Sequence, residues 1–331
     1  MKKQYDPSID LFKGILTIFM VITHTILLMT DITKSHFNQM AVNVLILLIF
    51  SSYLFCFGQT IYLAYLQKTC SIVRMLRTTF RLYGVYILSG IFALIFYDKI
   101  PFTFERLFSL LSLQLLAPYS EFLLAFSLYT LFALLFFSSL QKSGKAKHPL
   151  FLYGLIFLSL FVYWILPMKE RPVWLGILIG MQKPASYPVL PYFCLFLLGI
   201  LWQCQPQNRK YYTIAGAIIT LLCSLYCIYI HALPQRFPVT LWWVLLPVGC
   251  IIALQWLCMF LTRYKGLYIV RKIGRKSLWL LLFSNIILFI LHNYTLPPYL
   301  GWGVGLLLIY VGYMILLFYE KMRKRLFVHF R

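Results

Sequence analysis

The chain has 331 residues, of which 62% are hydrophobic and only 11% charged, and its mean hydropathy is +0.83. No water-soluble domain of this length tolerates such a balance, so the composition excludes a soluble enzyme and indicates a polytopic membrane protein in contact with a lipid bilayer. The formal charge of +22 does not imply a nucleic-acid partner, because the basic residues follow the loops between apolar segments.

The first apolar segment, Ile9 to Thr30, reads IDLFKGILTIFMVITHTILLMT and carries Asp10, Lys13 and His24. It is long enough to span and lacks a small-residue cleavage pattern, so a span is expected here and not a cleavable signal. Three ionisable groups in one span are costly, since each must be kept from hydrocarbon by a partner or by water, and such groups usually mark function. Asp10 and Lys13 stand three residues apart at the cytoplasmic end, where they can pair as a simple helix anchor. His24 lies roughly 16 Å beyond Lys13 at 1.5 Å per residue. That is close to three whole turns, so Lys13, Thr17, Met20 and His24 form one stripe that should face protein or a cavity. A lone intramembrane histidine is either a satisfied structural residue or a functional one; the aligned lysine favours the second.

Ten apolar runs can cross roughly 30 Å of hydrocarbon, at about 10–30, 40–66, 79–98, 121–141, 149–167, 188–204, 211–231, 240–262, 277–294 and 298–319. The expected fold is all-α and polytopic, about ten transmembrane helices in a single membrane-embedded domain over residues 1–331. Leu107 to Leu116 and Val173 to Met181 are too short to span and read as re-entrant or interfacial pieces. With the N-terminus in the cytoplasm, only Lys34, Lys99, Arg106, Lys169, Arg171, Lys183 and Arg236 of the 30 Lys and Arg residues fall outside, with Lys13 in the first span. Both termini are therefore expected to be cytoplasmic.

Arg74, Arg77 and Arg81, at spacings of three and four, share one helix face at the inner membrane surface. They serve either to attract anionic headgroups, worth about 1 kcal/mol per basic residue, or to clamp the phosphates of a cytosolic donor through planar forked donors. Arg81 lies deeper, which favours a binding role for it. Glu121 opens the fourth run from the outer side. It either orients or deprotonates an imidazole such as His24, or sits as a solvated charge favoured by the helix dipole. The outer loop Met168 to Pro188, with Lys169, Glu170, Arg171, Trp174, Lys183 and Tyr187, reads first as an interfacial aromatic belt and second as a sugar-binding surface. In VRKIGRKSLWLLLFSNIILFILH, Asn285 reads as an interhelical hydrogen-bonding residue and His292 as interfacial. The eight cysteines lack ligand spacing and read as small packing residues, and no metal site is expected.

These residues resemble a family. IDLFKGILTIFMVITH is similar to the opening signature of the acyltransferase-3 superfamily of integral membrane acyltransferases, in which an aspartate precedes a basic residue and glycine, and a histidine follows. The matching positions are Asp10, Lys13, Gly14 and His24. RMLRTTFRLYGVYIL resembles the family's basic motif and KIGRKSLWLLLF its late glycine-basic-serine-leucine segment. The chain departs from the pattern with Lys13 where arginine is usual, with Ser284 or Asn285 where the late motif often reaches a histidine, and with Pro118, Tyr119 and Glu121 in place of a tryptophan-rich lead.

The resemblance implies transfer of an acyl group, in the first instance acetyl, from cytosolic acetyl-CoA (acyl-CoA) to a carbohydrate acceptor, a cell-surface or exported polysaccharide, by a multi-pass protein of the cell membrane. His24, Lys13, Asp10 and Glu121 are the implied catalytic group, and Arg74, Arg77 and Arg81 the implied donor-binding group. A transporter or flippase of a lipid-linked glycan, using the same polar stripe as a passage, and a non-catalytic membrane partner remain alternative functions.

Overall fold

The computed structural model describes residues 5–67, 71–137, 148–165, 173–180, 187–236 and 239–329. Lys142, Lys145, Lys147, Lys169, Arg171 and Lys183 lie outside the described residues, as does most of the outer loop Met168 to Pro188. Among the described residues every regular element is helical, and the one pairing of extended backbone is an isolated bridge between Thr30 and Leu296. That is what an apolar chain must do in hydrocarbon, where backbone polar groups have to be satisfied within the segment.

In chain order the helices are α1 (Pro7–Met29), α2 (His36–Ile61), α3 (Ile72–Phe92), α4 (Phe104–Leu111), α5 (Glu121–Phe132), α6 (Pro149–Ile165), α7 (Val173–Ile179), α8 (Val189–Cys204), α9 (Arg209–Tyr229), α10 (Leu241–Leu245), α11 (Val248–Leu261), α12 (Tyr268–Arg275), α13 (Ser277–Leu291) and α14 (Leu300–His329). Helices α2, α3 and α5 each continue into a π-helical turn, at Tyr62–Leu66, Ala93–Tyr97 and Ala133–Phe137. Among the described residues six stretches are long and apolar enough to cross a membrane: Pro7–Met29, His36–Leu66, Ile72–Tyr97, Pro206–Tyr229, Leu241–Leu261 and Leu300–Met322. The pair Lys265–Arg275 and Ser277–Leu291, bent by 69°, makes a seventh if it is one span. The protein is thus a multi-pass helical membrane protein. Shorter apolar helices at Glu121–Phe136, Pro149–Phe161 and Val189–Cys204 coincide with three further runs of the sequence.

The residues divide into two compact units, one of Met1–Ile9 with Leu47–Arg263 and the other of Asp10–Ile46 with Tyr264–Arg331. In the first unit α3 packs on α5, α6 on α8 and α9 on α11. Where α2 crosses α8, Gly58 faces the Phe196 carbonyl and Gly199 faces the Phe55 carbonyl so closely that any Cβ would overlap backbone; small residues permit this approach between membrane helices. Pro247 interrupts the run at 240–262 between α10 and α11, because it has no N–H to give. Thr220 on α9 closes the gap, its hydroxyl donating to the Leu246 carbonyl (2.9 Å) and accepting from the Gly249 amide (2.8 Å). The short helix α4 is fastened back on α3: Tyr83 donates to the Leu111 carbonyl (2.5 Å), and the Tyr86 hydroxyl accepts from the Ala117 amide (3.3 Å).

In the second unit α13 packs on α14. Trp302 donates to the Asn38 carboxamide oxygen, whose nitrogen donates to the Pro298 carbonyl, both at 2.9 Å. At the other end of α14, Glu320 receives Lys272 and Lys276, each at 3.1 Å. These pairs hold α12 and the residue after it against α14, with Tyr268 and Ile269 of α12 exposed.

Candidate functional site

The stripe along α1 belongs to the second unit. Asp10, in the first turn, is buried, and its two carboxylate oxygens serve two cations: Lys13 Nζ at 3.3 Å and Arg275 Nε at 2.9 Å. The local pair is the one its spacing suggests, while the shorter bond reaches α12. Two glycines bring α1 and α12 into contact there. A Cβ at Gly14 would strike the Val270 carbonyl and one at Gly274 the Asp10 carbonyl. Gly14, next to Lys13 in the signature, is therefore a packing requirement of this crossing.

Further along α1, Thr17 turns its hydroxyl back to the Lys13 carbonyl at 2.7 Å. Thr17, Met20 and His24 are all buried. His24 Nδ1 lies 2.8 Å from Asn285 Oδ1 on α13, with both residues buried. Asn285 makes the interhelical bond expected of its residue type, and its partner is the signature histidine. Because the asparagine atom is a carbonyl oxygen, Nδ1 donates, and the neutral ring has its basic lone pair on Nε2. Ser284, the other residue at the late-motif position, closes on the Leu281 carbonyl at 3.1 Å. His292 bonds through Nδ1 to the Phe289 carbonyl at 2.8 Å at the end of α13, as an ordinary helix terminus.

Arg74, Arg77 and Arg81 belong to the first unit. They lie on one exposed face of α3, opposite the buried stripe Met75, Thr79, Leu82 and Tyr86. Among the described residues no carboxylate comes within ion-pair distance of them. Thr78, on the same helix, exchanges a hydrogen bond of 2.9 Å with Tyr65 of the π turn that ends α2.

Glu121 is in the first unit and His24 in the second. Its cationic neighbour within the unit is Arg236, which is also in electrostatic range of Tyr119, Tyr187 and Tyr192. Arg236 donates to the Tyr187 hydroxyl at 3.0 Å, and Tyr187 lies against Phe50 with ring centroids 3.9 Å apart. Burial pushes the Tyr187 phenol above its ordinary range while Arg236 draws it down. Burial, with a hydrogen bond to Tyr97, raises Tyr119. In the sequence Arg236 reads only as one of the outer loop charges. Its only available signal was a basic residue on the side that the positive-inside rule disfavours.

No protein-family model matches this chain, and it has no significant match among curated proteins.

Proposed function

We propose that the chain is a ten-span membrane O-acyltransferase similar to the acyltransferase-3 superfamily, with both termini in the cytoplasm of a cell whose plasma membrane it crosses. Its donor is acetyl-CoA, and its acceptor a hydroxyl of a cell-surface or exported polysaccharide. The observation that carries this is the buried His24–Asn285 pair, 2.8 Å long, on the helix whose first turn holds the Asp10–Lys13–Arg275 cluster. The seven span candidates and three shorter apolar helices each coincide with one of the ten runs, which supports the topology.

With Nδ1 held by Asn285, Nε2 takes the proton of the acceptor hydroxyl as its oxygen attacks the thioester carbonyl. The ester C–O bond forms, the C–S bond breaks, and the proton passes to the departing thiolate. In a two-step variant Nε2 attacks the thioester carbonyl and the C–S bond breaks to release the thiolate; the acceptor hydroxyl then attacks the acetyl-imidazolium, the N–C bond breaks, and the hydroxyl proton passes to Nε2 and on to the thiolate. Asp10 and Lys13 shape the cytosolic mouth, Arg74, Arg77 and Arg81 hold the donor's phosphates, and Glu121 acts on the acceptor side.

The test is acetyl-CoA turnover by purified protein in lipid, read as thioester cleavage or labelled acetyl-protein. Activity lost in His24→Ala, with donor affinity weakened in Arg81→Ala, is the expected result. A well-folded sample that neither binds nor cleaves acetyl-CoA overturns the proposal in favour of glycan transport or a non-catalytic role.

A further inference from the structure

Buried polar groups in a membrane protein have to find partners, and most here do. In the first unit Gln203 donates to Gln59 Oε1 (3.0 Å) and Gln59 to Gln255 Oε1 (3.1 Å). In the second unit, α12 and the residue after it carry Arg271, Lys272, Arg275 and Lys276. Lys272 and Lys276 share Glu320, each at 3.1 Å, and Arg275 meets Asp10 at 2.9 Å. Arg271 is the exception. Among the described residues no carboxylate comes within ion-pair distance of it, and its Nε is buried with no acceptor. Lys13 draws on Asp10 as well. Two carboxylates thus serve four cations while Arg271 stands without a counter-ion, and the charge of the cluster is in excess on the positive side.

The place of the cluster narrows what can supply the missing anion. The apolar helix α13 begins at Ser277, and the segment Lys265–Arg275 before it is turned away by 69°. Three cations in the eight residues of α12 keep that helix out of hydrocarbon, so the bend marks the bilayer boundary, where lipid phosphates lie. Tyr268 stands three residues before Arg271 and Arg275 four after, which puts all three on one side of α12. Tyr268 and Arg275 are exposed there, as is Ile269 beside them. A tyrosine at headgroup level, an aliphatic side chain next to it and a basic group are what an anionic lipid meets on an interfacial helix. Opposite them Ile273 and Gly274 are buried, so the helix cannot roll to offer another side. Where it lies, the Nε has no open surface for an oxygen to reach. Turning the guanidinium toward the Tyr268 side releases it and presents Nε and Nη as a fork, which matches two phosphate oxygens.

We propose that Arg271 binds the phosphate of an anionic phospholipid, whose headgroup lies on the Tyr268–Arg275 side of α12 and whose chains pass Ile269. This does not depend on the acyltransferase function. The test uses the full chain in mild detergent with a phosphatidylglycerol that carries a diazirine high on one acyl chain. Labelling of the peptide holding Tyr268 and Ile269 is quantified by mass spectrometry, in competition with unlabelled phosphatidylglycerol, phosphatidylcholine or glycerol 3-phosphate. In wild type, phosphatidylglycerol should compete at clearly lower concentration than phosphatidylcholine, and glycerol 3-phosphate not at all. Arg271→Gln should weaken labelling by about fivefold, what one basic residue near an anionic surface is worth, and Lys210→Gln in the first unit should leave it unchanged. Should Arg271→Gln fail to fold, Arg271→Lys decides, since it keeps the charge and loses the fork; weaker labelling supports the site. Labelling in the folded Arg271 variant equal to wild type overturns the proposal, as does equal competition by phosphatidylcholine. Competition by glycerol 3-phosphate as strong as that of the lipid also overturns it, because the anion is then a soluble phosphate.

Discussion

Replacing Asn285 by leucine removes the carbonyl that receives His24 Nδ1 at 2.8 Å. Both residues are buried, so water does not replace the lost partner. Stranding a buried N–H costs about 1–3 kcal/mol in proteins generally, while interhelical hydrogen bonds in membranes average about 0.6 and reach about 1.7 kcal/mol. The two ranges overlap near 1–2 kcal/mol, which is the loss expected for Asn285→Leu. Asn285→Asp keeps an acceptor in place and should lose less. The assay is unfolding of the protein in lipid or mild detergent, carried out as a double-mutant cycle with His24→Phe. A coupling energy of about 1 kcal/mol is expected, since the second substitution removes a bond the first has already broken. If the two substitutions add to within about 0.3 kcal/mol, as independent sites do, the hydrogen bond does not operate and the assignment of the basic lone pair to Nε2 falls with it. Turnover supplies a second reading: Asn285→Leu is expected to lose at least about a hundredfold, the lower bound for mispositioned acid–base groups.

Gly274→Ala and Gly14→Ala should each destabilise by about 2–3 kcal/mol or prevent folding, because the added methyl meets a backbone carbonyl; thermal unfolding checks this, with Gly84→Ala, where nothing lies within 4 Å, as the silent control. Arg275→Ala should cost only about 1 kcal/mol, since its side chain is 45% exposed and Asp10 retains Lys13, whereas Asp10→Ala, which removes the carboxylate that both cations share, should cost more in the same assay. Thr220→Val is expected to lose about 1–2 kcal/mol, because both backbone groups flanking Pro247 lose their bridge. Substituting Arg74, Arg77 and Arg81 by glutamine together should raise KM for acetyl-CoA at least tenfold with little change in unfolding midpoint, the three side chains being exposed.

What the sequence made legible was local. Apolar runs mark the helices because length and composition suffice for that, and Asp10, Lys13 and His24 stand out because charge in an apolar run is rare. The pairing of Asp10 with Lys13 follows from three-residue spacing. Partners set by helix packing were another matter. Arg275 sits 265 residues from Asp10 and Asn285 261 residues from His24, and no periodicity connects them. Gln59, Gln203 and Gln255 carry no charge to mark them, although each is a polar residue within or at the end of an apolar run. Uncharged amides raise less notice than ions, yet burial makes the same demand on them. Glu121 showed its position in the helix but not Arg236, because a loop cation reveals nothing of where its loop folds.

The long separation between the partners has a consequence for synthesis. At about 5–20 residues per second, the 261 residues between His24 and Asn285 take roughly 13–52 s to make. For that interval α1 has neither Arg275 nor Asn285 beside it. Within its own helix Asp10 has Lys13 at 3.3 Å, a cation that meets the first-turn carboxylate without help from any later segment. Lysine suits this interim role, since its flexible stem lets it stay with the carboxylate while the ammonium reaches interfacial water. The short-range pair thus acts as a provisional counter-ion for the nascent helix, and the shorter bond to Arg275 completes the cluster once α12 has been made.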